Sequence, residues 1–198
     1  MLPYSNIPHP DNLGLTTLFS GTVYVFFDRL LIIFKGTLCS GAACEATLEG
    51  IPAVAFSGDS TLQVSYTTLE SDPTSQASLA AGIYASLTVK FTQFLLGNSP
   101  SLILPPGISL NVNYPSTDNC PDASDYHFVL SRIVWNPFAT DVHTCGSHSL
   151  PTEQSVVDTP GCYSSVSVFH ASTKRDADAA IQREVLDKLS GILTCLPS

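Results

Sequence analysis

The spacing of apolar and polar positions predicts a chain in which helices and strands alternate. Gly41–Gly50 is rich in alanine and ends in glycine, which predicts a short helix with a glycine C-cap. The continuous apolar run Ile51–Phe56 is typical of a strand buried on both faces of a parallel sheet. It leads into the polar turn Ser57–Ser60, and open α/β sheets bind ligands at such carboxyl ends of strands.

Further strands and two amphipathic helices are predicted downstream. Apolar residues recur with a period near 3.6 from Ser75 to Leu96, which predicts a long helix whose apolar stripe is core. The alternating run Ile108–Tyr114 predicts a strand that Pro115 ends. The remaining predicted elements are a strand within Tyr126–Trp135, a strand over Val166–Phe169 and a final helix over Asp176–Leu193. This order favours an α/β domain with a mostly parallel sheet that is incomplete at its N-terminus.

Composition limits the partners that the chain can have. The 198 residues are 44% hydrophobic and 13% charged, so we expect one folded domain over residues 1–198. Eight scattered basic residues against 17 acidic ones give a net charge of −9, which argues against a nucleic acid polymer or a membrane as partner. The most apolar run, Tyr24–Phe34, is too short to span a membrane and contains Asp28 and Arg29.

The cysteines favour an oxidising compartment. There are six, and four of them fall in the loop-rich C-terminal half, a pattern compatible with disulfides in a secreted protein. Met1–Asp11 contains three prolines and no apolar core, so we recognise no signal peptide there. We therefore expect an extracellular protein whose leader is not present in this chain.

Two other constellations suggest chemistry, and each has a simpler interpretation. His143, Cys145 and His148 lie within six residues and could ligate zinc, but no fourth ligand follows at the usual spacing. A surface loop with one disulfide cysteine is the favoured interpretation. Glu45 and Glu49 lie one helical turn apart and are interpreted as a solvated helix face rather than as paired catalytic carboxylates. A serine hydrolase is disfavoured because the chain has no G-x-S-x-G elbow.

Two short segments could bind phosphate oxygens through backbone N–H groups. They are Asn12-Leu13-Gly14 and Ser20-Gly21-Thr22, which both combine glycine with small polar side chains. Alone they are weak signals. In order along the chain they are followed by Val23, by the alanine-rich helix that runs into Gly50-Ile51-Pro52-Ala53, by Leu110-Asn111-Val112-Asn113-Tyr114-Pro115 and by Ser165-Val166-Ser167-Val168.

This succession of motifs resembles the SurE survival-protein family over about residues 12–170, and the loop cysteines are most similar to its fungal, secreted branch. The resemblance implies a Rossmann-like α/β fold. It also implies an acid phosphatase or 5′-nucleotidase that hydrolyses a phosphomonoester or a nucleoside monophosphate with a divalent metal ion, Mg²⁺ or Mn²⁺. Family members are commonly oligomers, so we expect a homo-oligomer, with the final helix, 176–193, as a self-association element.

The resemblance also implies which residues bind phosphate. Asn12, Ser20, Gly21 and Thr22 match the family's phosphate-binding wall. The family holds its metal with an aspartate pair, a serine and an asparagine. This chain contains no two adjacent aspartates, and Pro8 replaces the expected asparagine, so no complete metal site and no catalytic residue can be assigned. We therefore expect little or no phosphatase activity from these 198 residues; the alternative function is a non-catalytic binding or assembly partner.

Residues 24–40 separate two motifs that are continuous in the family. We interpret this segment as a non-family insertion, translated from a short intron, and Met1 as a misplaced start. If Cys39 belongs to the insertion, five cysteines remain, which predicts two disulfides and one free thiol. Cys44, on the alanine-rich helix, is the residue we expect to be free.

Overall fold

The computed structural model describes residues 18–19, 22–27, 30–34, 41–59, 64–98 and 102–197, with the backbone alone described up to residue 41. Within these ranges the chain forms one eight-stranded sheet with helices on both faces. The strands are β1 (Leu18–Phe19), β2 (Thr22–Phe27), β3 (Leu30–Phe34), β4 (Ala53–Gly58), β5 (Ile108–Tyr114), β6 (His127–Ser131), β7 (Tyr163–His170) and β8 (Leu193–Thr194).

The sheet is mostly parallel, as the order of elements predicts. Its strand order is β1-β2-β3-β4-β5-β7-β6-β8. Four of the seven pairings among the described strands are parallel: β3 with β4, β4 with β5, β6 with β7, and β6 with β8. The antiparallel pairings are β1 with β2, β2 with β3, and β5 with β7. The predicted α/β class is therefore confirmed.

The helices lie close to where the hydrophobic periodicity predicts them. Ser75 caps the helix Gln76–Gly97 by accepting a hydrogen bond from the Ser78 N–H, and Asp178 caps the helix Ala179–Leu189 in the same manner. The last helix is shorter than the predicted 176–193, because Leu193 and Thr194 pair with β6 as a strand. The helices are α1 (Gly41–Leu48), α2 (Thr68–Ser71), α3 (Gln76–Gly97), α4 (Glu153–Val157) and α5 (Ala179–Leu189).

One face of the sheet is apolar and packs on the two longest helices. Phe91 of α3 lies edge-on to Phe56 of β4 and tilted against Phe128 of β6, with ring centroids 5.7 and 5.2 Å apart. Val185 and Leu189 of α5 are fully buried in the same core. By length and hydropathy α3 could cross a membrane, but its apolar stripe is buried against this sheet.

The opposite face of the sheet is built from small and polar residues. Ala53 and Ala55 of β4 contact Ala43 and Ala46 of α1, and these small side chains allow the helix to approach the strand closely. Polar side chains occupy the same face of the next strands: Ser109, Asn111 and Asn113 on β5 lie in register with Phe169, Ser167 and Ser165 on β7. This face, which we call the polar face, carries the candidate site described below.

The predicted insertion, 24–40, contributes strands to this sheet. The backbone of β2 and β3 forms an antiparallel pair, and β3 is parallel to β4 in the register Phe34 with Phe56. Residues 35–40, and with them Cys39, lie outside the described residues. The origin of the segment as an insertion stays a prediction.

Disulfides hold the loops of the C-terminal half. Cys120 is bonded to Cys162, and Cys145 is bonded to Cys195. Cys44 is also disulfide-bonded, so the prediction of a free thiol at this position is wrong. Its burial beside Phe169 and Ala171 is compatible with either state, because a buried thiol and a buried disulfide sulfur are both apolar.

We predict that Phe91→Ala will lower the free energy of unfolding by about 3–5 kcal/mol, because it removes a fully buried ring from between the sheet and α3. Urea denaturation measures this loss. Leu79→Ala is the matched control, since this α3 side chain is 56% exposed, and it should cost far less. Equal losses in the two variants would contradict the assigned core.

Candidate active site

The carboxyl ends of the central parallel strands meet at one edge of the sheet. Because β3, β4 and β5 run in the same direction, Phe34, Gly58 and Tyr114 all end there. The antiparallel β2 starts at this edge: Val23 pairs with Phe34, so the backbone of Thr22 lies one residue beyond it. We call this region the carboxyl edge.

Polar residues stand in one row along the carboxyl edge. Ser57 of β4 pairs with Asn113 of β5, which pairs with Ser165 of β7. Asn113 donates from Nδ2 to the Ser165 hydroxyl at 3.1 Å. The backbone of Thr22 lies in the same row two strands from Ser57, which corresponds to about 10 Å at the usual strand spacing.

Tyr84 holds the loops that leave this edge. Its hydroxyl donates to the Pro115 carbonyl at 3.0 Å, and its ring stacks on Tyr114 with centroids 5.5 Å apart. A Cβ on Gly58 would lie 2.5 Å from the Tyr84 ring, so glycine is required there for β4 and α3 to approach this closely. Burial raises the pKa of the Tyr84 phenol, which keeps it protonated as a donor.

A carboxylate is partly buried on the polar face, next to Asn111, which precedes the row residue Asn113 by two positions on the same face of β5. Glu153, the first residue of α4, accepts a hydrogen bond from Asn111 Nδ2 at 2.8 Å. Ser167 and Asn113 also hydrogen-bond to this carboxyl group. The network continues to β6, where the Ser131 and Ser167 hydroxyls are 2.8 Å apart. The Glu153 network thus fixes the Asn111 carboxamide, while the Asn113 carboxamide, at the carboxyl edge, is held by Ser165.

The Glu153 network also sets the electrostatics of the polar face. Burial raises the pKa of the Glu153 carboxyl, and the hydrogen bonds from Asn111, Ser167 and Asn113 oppose that rise. The nearby negative charge of Asp176 adds to the rise. A carboxyl in these surroundings can hold a proton at a higher pH than an exposed one.

The predicted site residues fall mostly outside the described part of the chain. Pro8, Asn12, Ser20 and Gly21 lie outside the described residues. Thr22 is described by its backbone alone, and that backbone lies at the carboxyl edge. Their assignment to phosphate binding stays a prediction.

The two alternative constellations are also located by the structure. Cys145 is bonded to Cys195, which confirms the favoured interpretation of this segment as a surface loop with one disulfide cysteine. Cys145 cannot act as a thiolate, so the alternative three-ligand zinc set of His143, Cys145 and His148 is excluded. Glu45 and Glu49 are both exposed on or just after α1, which confirms a solvated face.

The described residues do not fit the divalent metal site that the resemblance implies. Among residues 41–59, 64–98 and 102–197, no group of three or more His, Cys, Asp or Glu side chains lies close enough to hold a metal ion. At the carboxyl edge the described carboxylate next to the row is Asp59, which is exposed. A hard divalent cation needs several converging oxygen ligands, and this set does not supply them.

Sequence reasoning missed Glu153 and its partners as a set. Asn111 and Asn113 were visible as the polar half of an alternating strand, and Ser165 and Ser167 as the polar half of another. These two polar strand faces were the available signal. If two such faces are buried side by side in a sheet, their side chains need a polar partner from another element.

We predict that replacing Glu153 by glutamine will change the pH dependence of stability. Since the folded-state pKa lies above the ordinary value of 4.5, the folded wild type holds this proton more tightly, and its stability falls as pH rises through the raised pKa. Glutamine stays neutral. The free energy of unfolding of Glu153→Gln minus that of wild type should therefore become more positive as the pH rises above the ordinary carboxyl pKa of 4.5.

Urea denaturation at several pH values measures this difference. Glu184→Gln is the matched control, because Glu184 is exposed on α5, and its difference from wild type should change far less with pH. A difference for Glu153→Gln that is flat with pH would show that its carboxyl is not perturbed.

Comparison with known proteins identifies the fold family. The family described as survival protein SurE matches residues 30–136, more than half of the chain. The match begins inside the predicted insertion, 24–40, and ends after β6. An acid phosphatase of Yarrowia lipolytica (strain CLIB 122 / E 150) is 28% identical over 186 residues, which cover 80% of this chain and 50% of that protein.

The chain therefore spans about half the length of this curated relative. The order β3-β4-β5 in the sheet, with α1 before β4 and α3 after it, lies entirely within the matched range. At the level of the family, the match and the relative support a phosphatase-type hydrolase. The chain belongs to the SurE survival-protein family.

Proposed function

We propose that the protein is a phosphomonoesterase of the acid phosphatase or 5′-nucleotidase type. The observation that carries this proposal is the carboxyl edge, where the backbone of Thr22 shares a row with Ser57, Asn113 and Ser165. Open α/β sheets bind ligands at this edge. The similar acid phosphatase supports the same reaction class.

The proposed substrate is a phosphomonoester, including nucleoside monophosphates. Backbone N–H groups of the Ser20-Gly21-Thr22 segment would donate to the phosphoryl oxygens, with the Ser20 and Thr22 hydroxyls beside them and Asn12 lining the loop. The row of Ser57, Asn113 and Ser165 would form the opposite wall. The family resemblance implies a divalent ion such as Mg²⁺ or Mn²⁺, but the described residues do not supply its ligands, so no step is assigned to it.

The chemistry of this chain alone is expected to be weak. The sequence holds no adjacent aspartates, and Pro8 offers no side-chain ligand. We therefore derive no catalytic step from these 198 residues. The same observation favours a second candidate, a non-catalytic chain that binds phosphoryl groups or another protein.

Self-association through α5 would need a surface other than its apolar face, because Val185 and Leu189 are buried in the chain's own core.

We propose that the protein is secreted. The bonds Cys120–Cys162 and Cys145–Cys195 support this proposal, since structural disulfides persist in oxidising compartments. No nucleic acid polymer and no membrane are proposed as partners.

Titration calorimetry with orthophosphate and with adenosine monophosphate tests the binding part of the proposal. Wild type should bind both ligands, and the double variant Ser20→Ala/Thr22→Ala should bind each of them at least about tenfold more weakly. The reason is that each substitution removes one hydroxyl group, and with it one hydrogen bond to a charged phosphoryl oxygen. The same samples are assayed for hydrolysis of p-nitrophenyl phosphate with Mg²⁺ or Mn²⁺, where we expect little or no turnover.

Thr173→Ala is the control for this experiment. Thr173 follows β7 at the opposite edge of the sheet, so its loss should leave binding unchanged. Absence of phosphate binding by wild type would contradict the proposed site. Metal-dependent turnover by this chain would contradict the expected inactivity and would establish the enzyme directly.

Sequencing the transcript across codons 1–45 and upstream tests the origin of the missing ligands. The insertion hypothesis predicts a message that joins Val23 to Gly41 and that encodes an aspartate pair upstream; such a message would also remove β3, whose pairing places Thr22 at the carboxyl edge. A message that reads as the given sequence, with no such pair, would favour the non-catalytic alternative.

A further inference from the structure

A tight hairpin between β6 and α4 places two histidines side by side. Thr144 and Ser147 exchange both backbone hydrogen bonds, at 3.1 and 2.9 Å. The two residues between them, Cys145 and Gly146, have φ values of 52° and 76°. Two successive left-handed residues define a type I′ turn, whose twist matches that of an antiparallel strand pair.

The next residues outward are therefore direct cross-strand neighbours. His143 and His148 flank the hydrogen-bonded pair and occupy a non-hydrogen-bonded position, where opposed side chains lie closest. Their ring centroids are 4.6 Å apart, with the ring planes at 49°. Both side chains are exposed, so the pair is open to solvent.

The backbone that carries the two rings is fixed from three directions. The turn residue Cys145 is bonded to Cys195 near the C-terminus. The His148 carbonyl accepts from the Asp141 N–H at 2.9 Å, and the His143 carbonyl accepts from Arg183 Nη2 at 2.9 Å. Little conformational freedom therefore remains to be lost in the backbone when both rings bind one ligand.

We propose that His143 and His148 form a surface chelate for one borderline divalent cation, of the class of Zn²⁺, Cu²⁺ or Ni²⁺. Neutral imidazole nitrogen is a preferred ligand of these ions, whereas Mg²⁺ and Mn²⁺ prefer oxygen. Water molecules complete the coordination, since the Asp141 carboxylate, two residues before His143, is already bonded to Arg132, to the Leu150 N–H and to Gln182.

The site is distinct from the carboxyl edge. The hairpin follows β6, which runs antiparallel to β5, so it lies toward the opposite edge of the sheet. The Arg183 guanidinium, which contacts the His143 carbonyl, carries a positive charge close to the histidine pair, and the Asp187 carboxylate 3.7 Å away offsets that charge. The net charge of −9 on the whole chain favours the approach of a cation. The inference is independent of the proposed phosphatase activity.

Calorimetric titration of the chelator-treated full chain with ZnCl₂ tests the proposal. Wild type should bind one Zn²⁺ per chain, and His143→Ala and His148→Ala should each weaken this binding by at least about tenfold, since each removes one of two protein ligands. His127→Ala is the matched control, because His127 is exposed on β6 outside the pair, and it should bind like wild type.

Electron paramagnetic resonance with one equivalent of Cu²⁺ gives a readout that a purely structural role would not change. Two imidazole nitrogens should couple to the ion in wild type and one in either single variant. The proposal is overturned by a wild type that binds no Zn²⁺, by single variants that bind as wild type does, or by an equal loss in His127→Ala. Circular dichroism of each variant establishes that it is folded. We expect both variants to fold, because His143 and His148 are exposed.

Discussion

The register that pairs β4, β5 and β7 decides which side chains meet at the carboxyl edge and which enter the core. On β5, Leu110 and Val112 face α3, while Asn111 and Asn113 face α1 and α4. A slip of one residue would exchange the two sets, because strand side chains alternate. Buried amides would then lie among aromatic rings, and the polar row at the edge would be lost.

The two faces of this sheet are stabilised in different ways. The apolar face gains from the removal of large side chains from water, with Phe56, Phe91 and Phe128 in mutual contact. The polar face is dense in hydrogen bonds, and each of its buried amides must keep a partner to be tolerated. Glu153 supplies that partner for Asn111. The orientation of the Asn111 amide on this face therefore depends on one carboxyl from a helix of five residues.

Much of the fold could be predicted from the sequence, because it depends on local patterns. The 3.6 period and the Ser75 cap locate α3 almost to the residue, and the alternation in ISLNVNY with its following proline locates β5 as observed. Strand β8 has no such signal, since two residues carry no period and its existence depends on pairing with β6. The state of Cys44 could not be predicted either, because a disulfide depends on where two distant segments meet.

The candidate site was predictable only in part. Motif order indicated the family and a candidate phosphate-binding segment, and strand polarity indicated the edge of the sheet at which the candidate site is placed. The row of Ser57, Asn113 and Ser165 depends on the antiparallel pairing of β5 with β7, which no motif encodes. The contact between His143 and His148 likewise depends on the left-handed turn at Cys145 and Gly146, which the sequence did not indicate.

The central claim is that the carboxyl edge binds a phosphoryl group, and heteronuclear NMR of the ¹⁵N-labelled chain titrated with orthophosphate tests it most directly. The account predicts saturable amide shifts at residues 20–22, at Ser57–Asp59 and around Asn113, with the region of 171–176 at the opposite edge unchanged. Shifts confined to the opposite edge, or no saturable shift at all, would contradict it.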